Sequence, residues 1–94
     1  MDHRLNAKSH VDAIVAQLRG HGARDVQPLI EECEALSQAI AAFHMEGIRF
    51  RMFNVDRMLL HHLDLPAEIA RGVADARREL EAAGFHTRSH QAPS

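Results

Sequence analysis

Apolar side chains recur through the middle of the chain at Val26, Leu29, Cys33, Leu36, Ile40 and Phe43, in alternating steps of three and four. That spacing sets them on one face of a helix. The density then rises. Ile48, Phe50, Met52, Phe53, Val55, Met58, Leu59, Leu60 and Leu63 are too many for one stripe, so this half is expected to be buried on more than one side. Residues 26–63 read as one long central helix, with a bend near Gly47 as its variant, because an interior glycine costs about 1 kcal/mol relative to alanine. If the helix stopped at Gly47, Ile48-Arg49-Phe50-Arg51-Met52 would alternate like a strand. A lone strand has no partner within the chain, so the helix is the expected course for residues 48–53.

Shorter patterns flank this segment. Ser9, with Asp12 three residues on, resembles a capping box, and Val11, Ile14, Val15 and Leu18 make one apolar face that Gly20 is placed to end. Residues 1–8 read as a flexible lead. After the turn His61–Pro66, Asp64 is a cap for a last helix with a narrow seam of Ile69, Val73, Ala76, Leu80 and Ala83. Its other face carries Glu68, Arg71, Asp75, Arg78 and Glu79 at steps that suit a solvated surface. Gly84 fits the C′ position of a Schellman stop, with Phe85 folding back on Leu80. Residues 86–94 read as a second flexible tail.

The expected fold is therefore all-α: one small domain of three helices with a long central helix, forming an antiparallel helical-bundle homodimer. An unbroken helix over 26–63 would be roughly 57 Å long, against a radius of gyration of about 12 Å for a compact chain of this size. Two short helices cannot cover it, so a second copy is the expected partner, with another protein as the alternative. Charge points the same way. Glu31, Glu32 and Glu34 precede Arg49, Arg51 and Arg57, and a two-fold axis near residues 44–46 sets the acids of one chain beside the arginines of the other, with Gly47 at the crossing.

Composition narrows the function. Eleven basic against thirteen acidic residues give a formal charge of −2, so no overall positive field draws nucleic acid. One cysteine excludes an internal disulfide and favours a reducing compartment. No apolar run reaches the roughly 18–20 residues of a membrane span, and MDHRLNAKSH lacks the apolar core of a secretory signal. These features lead to the expectation of a soluble, cytoplasmic protein.

Candidate contact residues are Phe43, Gly47, Arg49, Phe50, Arg51, Phe53 and Arg57. Arginines among aromatics can meet carboxylates bidentately or grip phosphate and stack on bases. The ion-pair reading is preferred, and a ligand- or nucleic-acid-responsive regulator is the alternative. His86 and His90, four apart, are one candidate metal pair, and His61, His62 and Asp64 are a second cluster; solvated turn and tail residues are the preferred reading of both. Cys33 has no partner at metal-ligand spacing. No nucleophile motif, phosphate loop or dinucleotide fingerprint occurs, so no catalytic residue or cofactor is assigned. The expected function is that of a non-catalytic helical dimerisation, adaptor or regulatory protein, with a histidine-based metal binder as a further alternative.

Overall fold

Asp2 opens the first helix. Its side chain accepts a hydrogen bond from the Leu5 N–H, and α1 (His3–His21) runs from there. The fold is that of a computed structural model and is described for residues 2–22, 24–85 and 87. The onset lies well before Ser9 because the apolar face continues upstream to Ala7, which is completely buried with Val11, Ile14 and Leu18. Residues 3–8, read from the sequence as a flexible lead, are thus part of this helix. Gly22, in the left-handed region at φ 81°, ends the helix one residue beyond His21.

A 3₁₀ turn, Arg24–Val26, leads into α2 (Gln27–Ala41), with Pro28 in the first turn where its missing N–H does no harm. Leu29, Cys33, Leu36 and Ile40 are buried as the spacing predicts. The central helix then breaks. The Phe43 N–H donates to the Ile40 carbonyl at 3.1 Å and the His44 N–H to the Ala39 carbonyl at 2.9 Å, the paired bonds of a Schellman stop. Phe43 takes the left-handed conformation at φ 60°. A new helix, α3 (Met45–Leu59), starts at once, capped by His44, whose Nδ1 accepts from the Gly47 N–H at 2.8 Å. Among the described residues there are consequently four α-helices and not three, and no long central one. The chain reverses at residues 42–44, ahead of Gly47, which sits inside the first turn of α3. Residues 48–53 are helical, and no strand occurs among the described residues.

After the turn, α4 (Ala67–Ala82) is capped by Pro66, with no side-chain bond from Asp64. Its end follows the sequence pattern: Gly84, at φ 96°, donates to the Glu81 carbonyl, and Phe85 folds back with its N–H on the Leu80 carbonyl at 2.9 Å.

Helix α1 packs against both α2 and α4, and α3 packs on α2. Gly72 permits the α1–α4 approach, since a Cβ there would lie 2.9 Å from Ile14 Cγ1. Between α1 and α2, Asp12 accepts from Ser37 Oγ at 2.6 Å and Lys8 Nζ at 2.8 Å. Arg77 joins α4 to α3 through an ion pair with Asp56, and its Nε donates to the buried Thr87 hydroxyl, which donates in turn to Glu81. Thr87, the second residue of the stretch expected to be a tail, is therefore docked. Ile48, Met52 and Val55 of α3 complete one core with the other helices, and the radius of gyration is 12.4 Å. The apolar stripe too long for one chain is folded in two, and its positions from Val26 to Ile40, with Ile48, Met52 and Val55, are covered within the chain. The length argument for a dimer, with its axis near 44–46, falls with the helix it assumed. No helix of the described residues is long and apolar enough to cross a membrane.

Candidate interaction surface

Helix α3 lies at the edge of the bundle and is apolar on two sides. Ile48, Met52 and Val55 point inward and are completely buried. At about 100° per residue, the opposite stripe runs Glu46, Phe50, Phe53 and Arg57, continuing past the helix end to Leu60. Phe50 is 46% exposed, Leu60 71% and Leu63, in the following turn, 85%, while Phe53 is half-buried. Phe50 and Phe53 are thus surface residues, not core. A segment apolar on both faces shows no period that separates inside from outside. The same density hid the exposure of Leu60 and Leu63, for which the adjoining turn Asp64-Leu65-Pro66 was the available signal.

The arginines dress this stripe. Arg51 donates to Glu32 Oε2 at 3.0 Å, an oxygen shared with Asn54, and its guanidinium stands 5.2 Å from the Phe50 ring centre. Arg57 stands 5.7 Å from the Phe53 ring centre, and Arg49 pairs with Glu46 at 2.9 Å. Glu34 pairs with Arg19 of α1. Folding α3 back on α2 therefore makes, inside one chain, the Glu32–Arg51 match that was expected between two. Arg49 and Arg51 already hold carboxylates, which is the ion-pair reading of this segment.

Phe43 belongs to a different place. It is 65% exposed at the end of the bundle, where its ring meets that of Phe85 at 5.3 Å and the Arg4 guanidinium lies 5.2 Å from its centre. With Asp2, His3 and Ala83 these residues line an open cleft of about 600 Å³. Its polar groups are engaged by the fold. Asp2 caps α1, Arg4 donates to the Ile40 carbonyl at 2.8 Å, and His3 Nδ1 lies 2.7 Å from Glu79 Oε1. The hydrogen bond with His3, assisted by Asn6, holds the Glu79 carboxyl below its ordinary value against partial desolvation. A Cβ on Gly47 would point at His44 and Ala39 of its own chain.

His61 and Asp64 are exposed and His62 is half-buried in the turn between α3 and α4. Among the described residues no group of three or more His, Cys, Asp or Glu side chains gathers to hold a metal. His86 and His90 lie outside the described residues. Cys33 is buried; burial first, and the nearby Glu32 charge second, push its thiol up to about 12. It stays protonated at neutral pH and is neither nucleophile nor ready ligand.

No family model, curated protein or solved structure matches this chain.

Proposed function

We propose that this is a non-catalytic helical protein that works as a dimerisation or adaptor module through the outward stripe of α3. The supporting observation is that Phe50, Phe53 and Leu60 face outward on an edge helix whose inward face is already filled by Ile48, Met52 and Val55. Clustered exposed apolar side chains on a small monomer mark interaction sites, and aromatics beside arginine are the composition that interfaces favour. Because the core closes within one chain, the association is reversible, not obligate.

Sedimentation velocity over a concentration series tests this on the wild type and on a Phe50→Ser/Phe53→Ser double variant. The wild type is expected to sediment faster as concentration rises, and the variant to stay monomeric with an unchanged helical circular dichroism spectrum. Identical monomeric sedimentation of both proteins at every concentration contradicts the reading.

A further inference from the structure

We infer that α3 pairs antiparallel with α3 of a second copy of this chain, about a two-fold axis level with the Arg51–Met52 peptide. This rests on reading α3 as a self-association surface and adds its partner and register. Along the outward stripe the order is Glu46, Phe50, Phe53, Arg57, with steps of four, three and four. The sequence of steps is the same read from either end. An antiparallel copy centred between Phe50 and Phe53 therefore sets Glu46 against Arg57, Phe50 against Phe53, and each contact again by symmetry, as a self-complementary two-fold interface requires.

The charges are available for this. The Glu46 side chain is 74% exposed, and its bond to Arg49 one turn away is a surface pair of small worth. Arg57 is exposed and lies over Phe53, at the rim of the aromatic pair. Helix-dipole preference favours an acid in the first turn and a base in the last, yet it does not select the stripe on which they fall. Here both share the stripe of the two phenylalanines. A parallel pairing would instead oppose Glu46 to Glu46 and Arg57 to Arg57, like against like. Nucleic acid would meet Glu46 as a repulsive group beside the arginines. The same register brings Leu60 level with the turn carrying Phe43 in the second copy.

The interface is small. Helix α3 is about 22 Å long, and a single helix face falls well short of the roughly 800 Å² per partner of a standard stable complex. A weak dimer follows, with dissociation in the range of roughly tens to hundreds of micromolar.

Glu46→Arg and Arg57→Glu, made separately in the full chain, test the register, with thermal melts showing that each variant keeps the fold. Each alone opposes like charges twice over and is expected to self-associate about tenfold more weakly than the wild type. Mixed in equal amounts, they form two favourable pairs between unlike chains, and light scattering should then return to the wild-type dimer level. Wild-type self-association that persists undiminished in each single variant, or a mixture no more associated than its components, overturns this register and leaves self-association through α3 standing. A wild type that remains monomeric up to several hundred micromolar, the range set by the small interface, overturns both.

Discussion

The Gly47 N–H donates to His44 Nδ1 at 2.8 Å, and a Cβ on residue 47 would lie the same 2.8 Å from that nitrogen. The cap of α3 thus depends on the absence of a side chain three residues into the helix. Histidine is an uncommon capping residue, and the close approach of its ring needs the room that glycine leaves.

A double-mutant cycle measures this dependence. His44→Ala should cost about 1 kcal/mol in the wild type, as loss of a cap does. In a Gly47→Ala background it should cost close to nothing, because the added methyl has already displaced the imidazole. The expected coupling is about 1 kcal/mol, read from denaturant unfolding of the four proteins. Additive effects contradict the cap geometry.

Phe43 occupies the C′ position of the α2 stop with φ 60°. A side chain in the left-handed region costs roughly 1–2 kcal/mol relative to glycine. Phe43→Gly is therefore expected to be more stable than Phe43→Ala by about 1 kcal/mol. In the interior of a continuous helix the order would be reversed by a similar amount. Melting temperatures of the two variants decide between a reversal at residue 43 and an unbroken helix.

The two faces of α3 should respond differently to truncation. Met52→Ala empties a completely buried site and is expected to cost about 2–5 kcal/mol. Phe50→Ala removes a half-exposed ring and should cost less than about 1.5 kcal/mol. Urea unfolding of both variants at low protein concentration makes the comparison. Equal losses would return Phe50 to the core.

Asp12 carries a pH dependence. Burial pushes its carboxyl up, but hydrogen bonds from Lys8 and Ser37 together with the Lys8 charge outweigh that and hold it below its ordinary value. A carboxyl depressed by folding stabilises the fold above its unfolded value, and the contribution is lost as pH falls through the folded value. The melting-temperature gap between wild type and Asp12→Asn should accordingly be present at pH 6 and shrink on acidification below about pH 4. A gap that is constant with pH contradicts the assignment.

Much of the helical content was legible because the buried positions keep strict helical steps: Val11, Ile14 and Leu18 in α1, Leu29 to Ile40 in α2, Ile69 to Leu80 in α4. The α4 stop was legible too, since Gly84 stands where a left-handed residue is needed and Phe85 where an apolar one folds back. The α2 stop uses the same backbone device with Phe43 in place of glycine and His44 in place of an ordinary cap. Neither residue type announces a break, and Phe43 even prolongs the apolar spacing of α2. The outward stripe of α3 was half legible. Its residues stood out as an arginine-aromatic cluster, but their outward orientation depends on where α3 begins, which only the break determines. The Glu32–Arg51 bridge likewise joins residues nineteen apart that meet only once the chain has turned back.

The claim that α3 presents a self-associating face is tested most directly by residue-resolved NMR of the full chain across a dilution series. Concentration-dependent shifts are expected to concentrate at Glu46, Phe50, Phe53, Arg57 and Leu60, with the α1–α4 side unchanged. Shifts absent at every concentration, or confined to the Arg4–Phe43–Phe85 end of the bundle, contradict it.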